Sequence, residues 1–344
     1  MTSMDRVLTT LGHNEPDRVP FFLMLTMHGA RELGLGIREY FSKAEYVVEG
    51  QLRMLKKYRH DCLNPFCYAP IEVEAFGAEV VWFDDGPPNS AEPIIKTEKD
   101  ILSLQVPDIQ STPCLLRTLD IIQALKKKAR DEVPIIGVVV SPFSLPVMQM
   151  GFPAYIELMY EKQELFKGLM AVNQKFCIAW ANAQLRAGAT AICYFDPLTS
   201  PTITPMGAHL ETGFRIARET LAQINSPTAI HMASGSTLPV IEDIVATGAS
   251  VIGVSVMDDL AGLKSACRGS LTVLGNLNGI EMRRWTPEQA EKKVKEAIAK
   301  AAVGGGFILA DNHGEIPWQV GEEVLSAISD AVHKWGRYPI CQIE

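Results

Sequence analysis

Two short stretches of this chain run an apolar segment straight into a histidine. Ser226-Pro227-Thr228-Ala229-Ile230-His231 passes into the small-residue turn Met232-Ala233-Ser234-Gly235, and Phe307-Ile308-Leu309-Ala310-Asp311-Asn312-His313-Gly314 repeats the pattern near the C-terminus. Other apolar runs end in the same way on Asp196, on Asp258 and on Asn276 or Asn278, while Glu72 and Glu74 stand two residues apart. Imidazoles and carboxylates arriving from separate strands are acid–base groups. Two histidines with carboxylates are also a donor set suited to zinc with one position left open for substrate. The catalytic candidates are Asp196, His231 and His313. Met24, His28, Phe143 and Phe195 flank the same ends and are candidate substrate contacts. Each candidate has a plainer reading beside it: a hydrogen-bonded structural histidine, a capped turn for Asp196 before Pro197, a helix N-cap for Asp258-Asp259, and core packing for Phe143.

Groups of this kind need elements that bring their ends together. Residues 18–26, 61–66, 133–142, 189–197, 226–231, 249–256, 271–276 and 305–313 read as short strands, most of them continuously apolar, as in a parallel sheet buried on both faces. Helical patterns separate them at about 42–59, 98–132, 154–187, 207–224, 238–246, 286–303 and 320–334. Ser42-Lys43-Ala44-Glu45 and Thr286-Pro287-Glu288-Gln289 read as capping boxes. The alternation predicts a single-domain (β/α)8 TIM barrel over 1–344, with its active site at the C-terminal ends of the strands. Residues 67–100, including Glu72, Glu74 and the turn Asp84-Asp85-Gly86-Pro87-Pro88, read as an N-terminal insertion near the barrel mouth, with Glu72 and Glu74 on one face of a strand. A doubly wound open sheet is the alternative, but no GxGxxG follows the first strand.

Composition narrows the function. With 344 residues, 47% hydrophobic, the chain can bury a large core, and a net charge of −8 without a clustered basic face argues against nucleic acid as a partner. No apolar run reaches the length of a membrane span, and no signal-peptide pattern opens the chain. Seven scattered cysteines without a CxxC pair suit a reducing, cytoplasmic location rather than a disulfide framework.

The chain resembles the uroporphyrinogen decarboxylase superfamily, and within it the cobalamin-dependent methyltransferases that act with methyl-corrinoid proteins. Asp17-Arg18-Val19-Pro20, Glu72-Val73-Glu74-Ala75-Phe76-Gly77-Ala78-Glu79-Val80, Ala187-Gly188-Ala189-Thr190-Ala191-Ile192 with Asp196-Pro197, Gly275-Asn276-Leu277 and Gly304-Gly305-Gly306-Phe307-Ile308-Leu309 carry the resemblance almost end to end. The decarboxylases hold propionates with an arginine motif after the first strand. Here that place reads Leu25-Thr26-Met27-His28-Gly29, with no arginine before Arg31. Asn312-His313-Gly314 resembles their C-terminal histidine motif. The thiol-methylating members bind zinc through His-x-Cys and a distant Cys, where this chain has His231, Ala233 and His313.

A thiolate-poor zinc would be more electrophilic, fit to polarise an ether oxygen. The resemblance therefore implies a zinc-dependent methyltransferase, the substrate-side component of an O-demethylase. It would pass the methyl group of a small-molecule methyl ether, such as a methoxylated aromatic, to Co(I) of a separate corrinoid protein. His231, His313 and Glu74 or Asp196 would hold the zinc, and a corrinoid-protein partner would dock over the strand ends. The chain itself lacks a DxHxxG corrinoid signature, since residue 316 is Ile316. The alternatives are a methylcobamide:thiol methyltransferase with an unusual site, a metal-free decarboxylase-like lyase using Asp196 and His313, and a non-catalytic corrinoid- or tetrapyrrole-binding accessory protein.

Overall fold

The computed structural model describes residues 1–340, so that Cys341 lies outside the described residues. Its centre is a curled, all-parallel sheet of seven strands. They are β1 (Phe21–Phe22), β4 (Ile136–Val140), β5 (Ala191–Phe195), β6 (Thr228–His231), β7 (Val251–Gly253), β8 (Thr272–Leu277) and β9 (Phe307–Asp311), in the order β1-β9-β8-β7-β6-β5-β4. A separate antiparallel hairpin consists of β2 (Val80–Val81) and β3 (Asn89–Ser90). The architecture is barrel-like, with seven strands where the sequence pattern counts eight.

The place of the eighth strand, between β1 and β4, is spanned by residues 61–63. The Asp61 N–H donates to the Phe21 carbonyl at 2.9 Å. Leu63 donates to the Pro134 carbonyl at 2.8 Å and accepts from the Ile136 N–H at 3.0 Å. Only a single bridge, Leu63 with Ile135, forms there. Asn64-Pro65 explains the shortness of this element: a proline has no N–H to continue the ladder.

Side chains reinforce this seam. The fully buried Asp61 carboxylate accepts from Arg6 and Arg18 at 2.7 Å each, and from the Phe21 N–H at 2.9 Å. Arg6 also pairs with Asp17 at 2.7 Å. Arg6 belongs to the first helix (Ser3–Leu11), whose N-terminus is closed by a Thr2/Asp5 capping box. The same helix pushes Val7 and Leu11 into the N-terminal end of the barrel, against Phe22, Met24, Cys62, Val251, Leu274 and Ile308. The larger core lies outside the sheet, between the strands and the helices around them.

Several local expectations change. Residues 71–75 form a helix, so Glu72 and Glu74 do not share a strand face. The helix Ala44–Tyr58 starts without a side-chain cap, whereas Thr286 and Gln289 form the expected capping box on Pro287–Ala301. The long helical region of 154–187 is two helices, Phe152–Glu161 and Gln163–Ala187, broken at Lys162. The 67–100 segment contains the 71–75 helix and the β2–β3 hairpin, whose connection at Gly86 and Pro87 borders a cavity at the strand ends.

Replacing Asp61 with alanine strands two arginines in a buried environment. Chemical denaturation of Asp61→Ala is expected to show a loss of about 3–5 kcal/mol. A loss below about 1 kcal/mol would show that the seam holds without this carboxylate.

Candidate active site

At the C-terminal ends of the strands lies a cavity of about 430 Å3. Its walls are mostly apolar: Met24, Met27, Phe66, Val138, Val140, Met148, Phe195, Leu198, Ile280 and Trp318, with Ser144, His313, Glu315 and Gln319 supplying the polar side chains. No lysine or arginine lines it among the described residues. Arg31, the first basic residue after β1, lies against the Trp318 ring at 3.9 Å and donates to the Trp318 and Val320 carbonyls.

His231 is the last residue of β6 and is buried. Ala233 takes a left-handed conformation (φ 50°) that returns its N–H to His231 Nδ1 at 3.0 Å. A ring whose Nδ1 accepts this bond carries its proton on Nε2 when neutral. Burial pushes its pKa down to about 4, the Asp311 charge opposing and His313 assisting. The ring lies 5.6 Å from that of Phe195. Gly253 makes room for it, since a Cβ there would come within 2.4 Å of the ring.

His313 lines the cavity with its Nδ1 2.8 Å from Ser234 Oγ. Asp311 shapes that turn, its Oδ2 accepting from the His313 and Gly314 N–H groups at 2.9 Å each. Glu315 follows in the same turn, lines the cavity, and accepts from Thr26 Oγ1. Burial, helped by the Asp311 charge, pushes its pKa up to about 8, so that it is largely protonated at neutral pH.

Of the remaining candidates, the carboxylates, Phe143 and His28 lie off the cavity wall. Asp196 is buried, accepting from Ser141 Oγ (2.6 Å), Ser144 Oγ (2.8 Å) and Thr199 Oγ1 (2.6 Å), and ties the ends of β4 and β5 together. Glu74 accepts from Tyr68 Oη, which also receives Arg117 at 3.0 Å. Glu72 is buried and accepts from the Val140 N–H at 2.9 Å; burial raises its pKa to about 8. Asp258 binds the Thr237 and Leu238 N–H groups, Asp259 caps the helix Leu260–Ala266, and Asn276 donates to the Ser255 carbonyl. Met24 and Phe195 are on the cavity wall. Phe143 packs instead in an aromatic cluster with Tyr155 and Phe166. His28 is buried with its ring 5.9 Å from that of Trp318 and does not line the cavity.

The donor set does not fit zinc. Among the described residues no three His, Cys, Asp or Glu side chains group so as to hold a metal ion. Asp196 and Glu74 are committed to other donors, and the Nδ1 of His231 is taken by a backbone N–H. Cys193, the cysteine on the cavity wall, is buried, and burial pushes its thiol up to about 12. Glu315, Thr26 and Ser234 were not among the expected site residues, although Thr26, a polar residue at the end of an apolar run, obeys the rule that singled out Asp196.

A largely apolar cavity at the strand ends of a curled parallel sheet lies at the face where barrel-like folds carry their sites. A family model for uroporphyrinogen decarboxylase (URO-D) matches residues 2–335. The chain belongs to the uroporphyrinogen decarboxylase family. The uroporphyrinogen decarboxylase of Ralstonia pickettii (strain 12J) is 25% identical over 360 residues, covering 97% of this chain and 95% of that one. That of Cupriavidus pinatubonensis is 26% identical over 309 residues, covering 85% and 83%. Among solved structures, a methyltransferase from Methanosarcina mazei superposes with a TM-score of 0.86 at 19% identity, covering 97% of this chain and 99% of that one. A B12-independent methionine synthase from Shewanella sp. W3-18-1 reaches 0.55 at 14% identity, covering 84% and 88%. These two likenesses are of fold.

The depressed pKa of His231 has a consequence for stability. Between pH 6.5 and about 4 the unfolded chain binds a proton that the folded imidazole refuses, so stability falls as the pH drops through this window. Buried His28 and His60, pushed down to about 3 and about 4, act in the same direction. Urea denaturation at pH 7 and pH 5 should show a drop about 2 kcal/mol smaller in His231→Gln than in the unmodified protein. Equal drops would mean that His231 titrates normally.

Proposed function

We propose that this protein is a methyltransferase that demethylates a small, uncharged methyl ether of largely apolar body, a methoxylated aromatic being the simplest, and delivers the methyl group to a Co(I) corrinoid carried by a separate protein. One observation carries the reading: an apolar, cation-free cavity whose wall places a protonated carboxyl, Glu315, beside His313. A tetrapyrrole with many carboxylates would enter this cavity without a counter-charge, which argues against porphyrinogen decarboxylation. The family membership and the likeness in fold to a methyltransferase add support.

The mechanism follows from the wall. Apolar side chains exclude water and hold the ring, leaving the ether oxygen to seek the few polar groups. Thr26 donates to one oxygen of Glu315, which leaves the carboxyl proton on the other free to meet the ether oxygen. A Co(I) corrinoid, held by its own protein, would supply the nucleophile for the methyl carbon, while this chain's residues bind and orient the ether. As the C–O bond breaks, its electron pair passes to oxygen, and Glu315 supplies the proton that lets the phenol leave neutral. His313, braced by Ser234, stands on the same wall and orients the polar end of the ligand.

The mouth suits a docking partner. The segments after β5, β6, β7 and β8, short helices among them, expose Ile203, Met206, Leu210, Leu238, Met257 and Ile280, and Met257 is 66% exposed. Apolar side chains displayed on successive segments of one face are what a protein interface requires. The lyase reading needs Asp196 as an acid–base group, and three hydroxyl donors already occupy that carboxylate.

The test is release of the phenol from anisole or guaiacol with chemically reduced cobalamin as acceptor. Glu315→Gln should lower the rate by about 10²–10⁴-fold. The unmodified enzyme should lose activity as the pH rises through about 8, where the acid loses its proton. A Gln variant as fast as the parent, or a rate flat across pH 8, would remove Glu315 from the mechanism. Failure of every ether tested, under conditions in which the ether binds, would overturn the methyltransferase reading.

Activity is further expected to survive dialysis against a chelator. Loss on chelation with recovery on added zinc would return His231 and His313 to the role of ligands.

A further inference from the structure

The lumen of a parallel barrel is normally filled by layers of bulky branched side chains. Here inward positions on neighbouring strands are small: Ala191 and Cys193 on β5, Ala229 on β6, and Gly253 beneath the His231 ring on β7. They leave a second cavity of about 80 Å3 inside the barrel, between the plug of Val7 and Leu11 and the His231–Asp311–Gly314 level above. Ile136 and Ala229 border it, and they remain only half-buried although they lie within the sheet. Apart from Thr228, His231 and Asp311, its wall is apolar.

This lumen adjoins the larger cavity. Met24, Cys193 and Gly314 belong to the walls of both, and the Phe195 and His231 rings pack beside Gly314 at the same level, so Met24 is the flexible side chain at the junction. We infer that the two cavities are one binding site in two storeys: the upper takes the body of the ligand, and the lumen takes a short, unbranched alkyl arm when Met24 swings aside. The ligand class is thus an uncharged aromatic carrying a short alkyl chain with no polar group on it. An arm that has to pass Met24, Cys193 and Gly314 in single file excludes branching near the ring. The inference rests on the upper cavity being the substrate site, but its test needs no turnover.

Calorimetric titration of the unmodified protein with anisole and with 4-ethyl-, 4-propyl- and 4-butylanisole, without acceptor, measures the arm directly. Each methylene placed in the lumen should tighten Kd about fourfold until the space is filled, after which the gain stops. Ala229→Leu, which fills the lumen from below, should abolish the gain while leaving the Kd of anisole itself unchanged. A flat series with anisole still bound would overturn the two-storey site and leave the upper cavity intact. So would a gain that persists in a folded Ala229→Leu variant. If anisole itself does not bind, the reading of the upper cavity fails and this inference fails with it.

Discussion

The structure depends on one buried carboxylate. Asp61 stands where a seven-stranded sheet must meet itself, and it answers two guanidinium groups and a backbone N–H from the first strand. Curling the sheet brings β1 and β4 close without enough strand between them to form a full ladder, so charge and hydrogen bonds replace missing backbone pairing. The Asp-Arg-Val-Pro stretch acquires its physical meaning here. Asp17 and Arg18 complete the same cluster, and Arg6 couples it to the helix that plugs the barrel. Pairing charges inside a protein costs desolvation energy, and it holds only when every lone pair is answered, as it is around Asp61.

Closure at that end decides the chemistry at the other. Once the strands converge, their C-terminal ends surround a largely apolar space, and burial is the leading cause of the shifts of His231 and Glu315 there. His231 is held neutral and Glu315 is held protonated at the same pH, because burial disfavours the charged form of each. A site of neutral donors in an apolar wall favours uncharged ligands. It does so through desolvation, without any specific repulsive contact.

Family membership is carried by the framework that this closure completes. Match over residues 2–335 extends through the strands and helices that make the barrel. Side chains projecting from the strand ends contribute little to that framework, and they can be exchanged with small cost to the fold. Ala233 illustrates the point: its backbone N–H, in a left-handed turn, fixes the tautomer of His231 without any help from its side chain.

The sequence by itself determined the parallel β/α alternation, the capping box at Thr286, the buried β6 and β9 strands, and the arrival of His231 and His313 at one end of the sheet. These follow from periodicity and from local hydrogen bonding, which depend on near neighbours. It also marked Met24 and Phe195 beside the strand ends. Tertiary structure alone decided the rest. Residues 71–75 became a helix because packing outweighed a short and ambiguous pattern, and the second strand shrank to a bridge where Asn64-Pro65 ends its ladder. Asp196, Glu74 and Glu72 were turned away from the cavity by partners 3 to 68 residues distant in the chain, which no spacing rule reveals. Glu315 was brought to its wall beside Thr26, almost 300 residues earlier in the chain, and to a raised pKa by burial and the Asp311 charge. Which polar residues act, and in which protonation state, is set by long-range burial. That quantity belongs to the folded chain and has no local signature.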